Sequence, residues 1–276
     1  MITLVTDSSC DLPSELIKKH HIKVVPLKVS IDGIEYTEGV NLTGEEFAQK
    51  MLASPSLPKT SQPSPGDFAK VFNEIRSEGK EVLCLTISSK LSGTYQSACL
   101  AKEMAGSEGI TVFDTLAGSL GHGLQIIRAA EMVEQGDGLK NILDELIIYR
   151  EKMNILILLN TLENIVKGGR LSKFKGTVAS VLNIKVLLEG IEGEVVELGK
   201  SRGRKKFLRQ VLSVIGERRE DFSNTVFGLT YIRNEEEAQA LKQQIIEKYQ
   251  PKDVIVNTMG ATMGTYAGDG GMILSF

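Results

Sequence analysis

Residues 82–104 read Val-Leu-Cys-Leu-Thr-Ile, then Ser-Ser-Lys-Leu-Ser-Gly-Thr, then Tyr-Gln-Ser-Ala-Cys-Leu-Ala-Lys-Glu-Met. The first six residues form a short apolar run of strand length, the kind that is buried on both faces of a sheet. The polar loop Ser88–Thr94 follows, and Gly93–Met104 then has the composition of a helix. Strand, short polar loop and helix together make the repeating unit of an α/β fold. The same unit recurs on either side. Ile2–Thr6 is a strand ended by Asp7-Ser8-Ser9, and Leu12-Pro13-Ser14-Glu15 opens a helix with proline near its first turn. Phe68–Ser77 is helical, Ile110–Phe113 is a strand, and Ser119–Glu134 is a helix broken by Gly136-Asp137-Gly138 before another that runs to about Glu151.

Two insertions depart from the unit. Val24–Ser30 and Ile34–Tyr36 flank Asp32-Gly33, a two-residue hairpin signature, and Thr43 with Glu46 forms a capping box for a helix to about Ala53. A proline-rich stretch, Pro55 to Pro65, reads as loop. Beyond residue 152 the texture changes. Ile155–Leu159 is a strand, Gly168-Gly169-Arg170 lies in a basic loop, and Asn183–Leu188 and Glu194–Ser201 pair around Glu192-Gly193. Phe207–Ile215 and Glu235–Lys248 are helices, while Val226–Tyr231, Val254–Asn257 and Met272–Phe276 are strands. The glycine-rich residues 260–271 read either as a cradle or as tight turns. The expected fold is therefore α/β in two domains. Residues 1–152 form a three-layer α/β/α domain with a mostly parallel sheet, and residues 153–276 form a smaller α/β domain with a mixed or antiparallel sheet.

Composition narrows the function. The 276 residues are 42% hydrophobic and 24% charged, and the mean hydropathy is −0.03, which excludes a disordered or fibrous chain. No apolar run approaches the ~20 residues of a membrane span, so stable membrane insertion is not expected. Met1–Asp7 has no basic segment and carries an acid at position 7, unlike a signal peptide; a cytoplasmic setting is expected. Cys10, Cys84 and Cys99 are scattered, which points to free thiols and to neither a disulfide framework nor a metal site. The histidines are His20, His21 and His122, so a histidine base has few candidates. No phosphate loop, dinucleotide fingerprint, H-E-x-x-H or G-x-S-x-G is present, and neither a cofactor nor a catalytic residue is expected.

Charge is unevenly spread. Between Asn164 and Gln210 eleven Lys/Arg face four Glu, a balance of +7; with a net charge of −3, the rest carries −10. The run Lys200, Arg202, Arg204, Lys205, Lys206, Arg209 suggests nucleic acid at first. A pI near 5.8 and the absence of Trp weigh against that reading. With Lys167, Arg170, Lys173 and Lys175, a docking face for an acidic protein fits better. Arg170 and Arg202 are expected to lie on that face, away from any apolar tunnel, because buried guanidinium groups need paired anions.

Four polar loops are expected to follow strands and to share one sheet edge: Asp7-Ser8-Ser9, Lys59-Thr60-Ser61-Gln62, Ser88–Thr94 and Asp114-Thr115. In open α/β sheets, ligands bind outside the carboxyl ends of the strands. Ser92-Gly93-Thr94 stands where a helix begins, which suits an anionic head group. Ser92 would serve equally as a helix cap and Asp7 as a turn former. An enzymatic alternative uses Asp7 and the Ser88–Ser92 loop in a hydrolase or transferase acting on a small anionic ester.

Several motifs taken together resemble the DegV family of bacterial fatty-acid-binding proteins. They are Val5-Thr6-Asp7-Ser8-Ser9-Cys10-Asp11-Leu12-Pro13, Thr60-Ser61-Gln62-Pro63-Ser64, Ser88 through Ala98, Val112-Phe113-Asp114-Thr115, Lys167-Gly168-Gly169-Arg170-Leu171, Leu182-Asn183-Ile184-Lys185 and the stretch at Gly264-Thr265. The resemblance implies a two-domain protein holding a long-chain fatty acid such as palmitate between its domains. It further implies that a separate fatty acid kinase phosphorylates the presented carboxylate, so the chain itself is not an enzyme. By the same resemblance Thr60 and Ser92 hold the carboxylate, and the polar strand-end loops are expected to bring Asp7, Ser8, Ser61, Gly93 and Thr94 around them. Tyr266 and Asp269 stand where the family usually has His and Pro; Tyr266 can donate a hydrogen bond but cannot become a cation. About fourteen buried methylenes at ~0.8 kcal/mol each would supply roughly 11 kcal/mol before association costs, so the tail would dominate affinity.

Overall fold

The computed structural model describes residues 1–172 and 184–276. The first part runs β1 (Ile2–Asp7), a 3-10 turn (Ser8–Cys10), α1 (Ser14–Lys19), β2 (Lys23–Val25), β3 (Lys28–Ile31), β4 (Ile34–Thr37), α2 (Gly44–Ala53) and β5 (Lys59–Ser61). It continues through α3 (Pro65–Ser77), β6 (Glu81–Thr86), α4 (Thr94–Met104), β7 (Ile110–Asp114), α5 (Leu120–Gln135) and α6 (Leu139–Lys152). The second part runs β8 (Ile155–Leu159), α7 (Glu163–Lys167), β9 (Ile184–Ile191), β10 (Glu194–Arg202), α8 (Arg204–Arg218) and β11 (Val226–Tyr231). It ends with α9 (Glu235–Tyr249), β12 (Asp253–Thr258), α10 (Ala261–Ala267) and β13 (Met272–Ser275). No helix among the described residues is long and apolar enough to cross a membrane.

Three sheets result. β2-β1-β6-β7 is parallel throughout. Its period-two side chains sort to two faces: Leu83 and Leu85 join Ile126 of α5 and Ile142 of α6, while Val82 and Cys84 join Phe68 and Phe72 of α3 and Ala98 of α4. That is the expected α/β/α sandwich. The six-stranded sheet, β10-β9-β8-β13-β11-β12, is mixed, with β11–β12 parallel and its other pairings antiparallel. One face packs on Phe207, Val211 and Ile215 of α8 and Leu241 and Ile245 of α9. The other face, through Ile157, Val186, Leu188 and Ile273, packs on Val29, Phe47 and Met51 from the first part and on α10.

The third sheet, β4-β3-β5, lies against that second face. The expected hairpin at Asp32-Gly33 is present: Ile31 pairs with Ile34, and both turn residues have positive φ, +49° and +83°. The capping box at Thr43 and Glu46 also forms. Three local expectations are corrected. Val24–Ser30 is two strands, because Pro26 has no N–H to continue the parallel ladder. The proline-rich stretch contains β5, whose Thr60 pairs with Val29. Part of the glycine-rich stretch is the helix α10 rather than a cradle or turns, and Gly264 there lets its backbone approach Phe47 and Ile232. The expected strand residue Asn183 and the motif residue Leu182 lie outside the described residues, as do Lys173 and Lys175.

Helix α5 backs both large sheets. A Cβ added at Gly228 of β11 would lie 2.5 Å from the Cβ of Leu120, and two backbone-anchored atoms cannot separate without moving helix from strand. Gly228→Ala is expected to lower stability by about 1–3 kcal/mol in urea unfolding. Gly66→Ala, in the first turn of α3 where the nearest neighbour would be 3.6 Å away, should leave stability equal or higher.

Candidate functional site

A cavity enclosing about 570 Å³ of empty space, part of it open to solvent, lies between the first part and the six-stranded sheet. Its walls are apolar: Leu27, Ile87 and Leu91 from the first part face Ile157, Ile165, Val195 and Ile273 from the second, with Met263 and Ala267 of α10. The polar lining consists of Thr60, Ser92, Arg170, Thr262 and Tyr266. That is the chemistry of a small-molecule site, an apolar body with a few convergent polar groups.

Local structure explains why these groups converge. Thr60 lies on β5, and its hydroxyl is 2.6 Å from the phenol oxygen of Tyr266 on α10. Ser92 precedes α4; its Oγ accepts from the Thr94 N–H at 3.3 Å and lies 2.9 Å from the Thr94 hydroxyl. Ser92 thus lines the cavity and also meets the first amide of α4 from one residue before the N-cap, Gly93. Gln62 packs where a Cβ on Gly93 would fall, 2.2 Å from its Oε1, and its Nε2 donates to Ser97 at 3.1 Å. The Thr60–Gln62 strand is thus keyed onto the start of α4, and Gly93 serves that fit rather than lining the cavity.

The other expected residues fall elsewhere. Ser61 is exposed on β5, and Thr94 is fully buried, engaged with Ser92. Asp7 is buried: one carboxylate oxygen accepts from the N–H and hydroxyl of Ser9 and the other from the Ile87 N–H at 2.9 Å. Ser8 donates to Glu38 at 2.5 Å and accepts from the Leu27 N–H at 2.9 Å. Both are therefore corrected from ligand-facing groups to parts that fasten the strand ends. Ser88 donates to the Gly193 carbonyl at 2.8 Å, tying down the tip of the β9–β10 hairpin. With Asp7 and Ser88 so occupied, the ester-cleaving alternative loses its acid and a nucleophile. His122 is enclosed in the core, its Nε2 near Thr6 Oγ1 and the Leu85 carbonyl, and burial pushes its pKa down.

Arg170 is the clearest correction. It lines the cavity instead of facing away from it. Its guanidinium sits 5.0 Å from the centre of the Tyr266 ring, Nη1 donates to the Gly168 carbonyl at 2.7 Å, and Nε donates to Leu91 at 3.2 Å. Two carbonyls and a π-face make the charge tolerable there, where the sequence argument considered only anions. Gly168 lies flat on Tyr266, with room for no side chain. Arg202, by contrast, is exposed at the end of β10, as are Lys205, Lys206 and Arg209 on α8. Arg204 turns inward to Glu237.

Two residues that the sequence reading passed over hold α10. Glu38 accepts from the Thr262 N–H at 2.7 Å and the Thr262 hydroxyl at 2.8 Å. Asp11 accepts from the Gly260 N–H at 2.8 Å and from Ser119 Oγ at 2.6 Å. Glu38 is 5% exposed and Asp11 6%. Burial raises both acids: Asp11 is pushed up to about 8, helped by the charges of Glu38 and Asp7, and Glu38 is raised as well. In sequence, Thr37-Glu38-Gly39 is indistinguishable from a surface turn.

The fold and site thus define an α/β protein with an apolar cavity under a hydroxyl-lined rim. No group of three or more potential metal ligands occurs among the described residues. The chain belongs to the DegV family, whose family model, for uncharacterised proteins, matches residues 1–276. A DegV domain-containing protein of Clostridium acetobutylicum is 36% identical over 267 residues, covering 97% of this chain and 95% of its own. A fatty-acid-binding DegV family protein from Thermus thermophilus superposes with a TM-score of 0.93 at 36% identity, covering 100% and 99% of the two chains. A stearic-acid-binding protein from Eubacterium ventriosum gives 0.91 at 27%, covering 100% and 97%.

The raised acid makes stability depend on pH. Between about pH 4 and 8 the folded state keeps an Asp11 proton that the unfolded chain, with an ordinary value of 3.8, has released. This contribution to stability therefore falls as pH rises through that window and levels off above it. In urea unfolding at pH 5 to 9, Asp11→Asn should flatten the decline. Asn suits the positive φ of 51° there and keeps an acceptor for Gly260.

Proposed function

We propose that this chain binds a long-chain fatty acid, palmitate or a similar acid, and presents its carboxylate to a separate fatty acid kinase that forms the acyl phosphate. It is a carrier in lipid metabolism rather than an enzyme, and it works in the cytoplasm. One observation carries the reading: Thr60 on β5 and Ser92 in the loop before α4, both of the first part, and Tyr266, on a helix of the second, line one apolar cavity. The acid-binding relatives support it. The tail takes the apolar walls, and the hydroxyls at the rim orient the head group.

The kinase is what the family resemblance implies, and the basic face is where we place its docking. Arg202, Lys205 and Lys206 stand exposed where α8 begins. Cations there oppose the positive end of the helix dipole, an arrangement that costs stability and that an acidic partner would relieve.

Ser92→Ala should weaken capture of labelled palmitate by up to roughly a hundredfold, the worth of about 1.5–3 kcal/mol for a hydrogen bond to a charged group. Unchanged affinity would leave Ser92 only its contact with the start of α4. Arg202→Ala should spare that binding yet slow acyl-phosphate formation by a cognate kinase, with the wild-type rate itself falling as salt is raised. Full phosphorylation of the variant would remove the basic face from the reading.

A further inference from the structure

Helix α10 is gripped at two points by elements around the same small sheet. At its start, Glu38, the residue after β4, holds the backbone and hydroxyl of Thr262. At its end, Thr60 of β5 meets the phenol of Tyr266. The two grips differ in kind. Glu38 is enclosed and is held from the other side by Ser8 at 2.5 Å, and the backbone at Gly260 comes so close that a Cβ there would be 2.6 Å from Glu38 Oε1. The Thr60–Tyr266 pair lies on the cavity lining, where a ligand oxygen can compete for either hydroxyl.

We propose that Glu38 is a positioning residue for head-group capture: it is the small sheet's fixed grip on α10 and sets Tyr266 against Thr60, while the Thr60–Tyr266 pair is the grip that opens to the incoming carboxylate. Glu38 touches no ligand. It acts through Thr262 and about one further turn of helix, which places the phenol at the rim. With that grip gone, α10 keeps its apolar packing on Phe47 and Ile232 and its bonds to Asp11 at Gly260 and to Asn164 at Thr265, but loses the pair of bonds at Thr262, the ones that come from the sheet carrying Thr60. Apolar packing is tolerant of sliding, whereas a hydrogen-bonded head group is not.

The inference rests on the fatty-acid reading above, and the test separates the two. Affinities for decanoate and for decanol, ligands alike in tail but not in head group, are measured by calorimetry on the full chain. Glu38→Ala should weaken decanoate tenfold or more and change decanol by less than twofold, whereas Glu38→Gln, which keeps an acceptor for Thr262, should stay within threefold of wild type for both. On a Tyr266→Phe background, Glu38→Ala should cost decanoate little more, because both substitutions disable the same contact. Equal loss of both ligands, or a full additional loss on the Tyr266→Phe background, would make Glu38 merely structural and overturn the proposal. Should Glu38→Ala fail to fold, Ser8→Ala removes the support behind Glu38 and should give the same selective loss at smaller size; no selective loss there would overturn it too. Wild-type protein that bound neither ligand would instead refute the fatty-acid reading itself.

Discussion

Everything at the site depends on two carboxylates that lie where carboxylates are costly. Burial raises the affinity of Asp11 and of Glu38 for protons, the charge of Glu38 adds to the effect on Asp11, and the hydrogens they accept come from hydroxyls and backbone amides. An unpaired buried acid is destabilising unless it is well hydrogen-bonded or neutral. Here the first residues of α10 supply several of the bonds. The helix is needed to satisfy the acids, and the acids are needed to place the helix. Their contacts also join the two parts of the chain, since both acids come from the first 38 residues and the helix from the last 20.

From that joint the cavity follows by geometry. Once α10 is seated, Met263 and Ala267 form part of the apolar wall and Tyr266 reaches the rim. Gly168 and Arg170 then close over the ring of Tyr266 from the side of α7. The β9–β10 hairpin brings Val195 to the cavity, and its tip is fastened through Gly193 to Ser88. Polar tethers at the edge thus leave the interior to apolar side chains.

Much of this was legible in the sequence. Strands such as Val82–Ile87 and Ile155–Leu159 are revealed by length and apolar continuity, and the turns at Asp32-Gly33 and Glu192-Gly193 by a glycine-containing pair between two strand-like runs, whose residues adopt positive φ. Thr60 and Ser92 stand out in the sequence as members of hydroxyl-rich segments, although they belong to different sheets, Thr60 to β5 and Ser92 to the loop after β6. What stayed hidden is long-range pairing. Nothing local distinguishes Glu38 from a solvated acid, since its partner Thr262 lies 224 positions away. Arg170 was misplaced for a related reason: the carbonyls that accept from it and the ring beneath it are not recorded as opposite charge. Helix α10 was obscured by glycines, which signal turns in isolation but here allow close packing against Phe47 and Glu38.

The lining of the cavity has one more property. Among the described residues that form it there is no Cys, His or Lys. Cys10 and Cys84 are enclosed elsewhere, and burial holds both thiols far above their ordinary range. Of the hydroxyls present, Thr60 is engaged by Tyr266, Ser92 by Thr94, and Thr262 by Glu38. Thr60 and Ser92 each have another hydroxyl as partner, and the one carboxylate that meets a lining hydroxyl, Glu38, is shared between the Thr262 hydroxyl, the Thr262 amide and Ser8. A neutral hydroxyl without a base is a weak nucleophile. Thr60 and Ser92 are in that sense groups that hold an oxygen rather than attack a carbon.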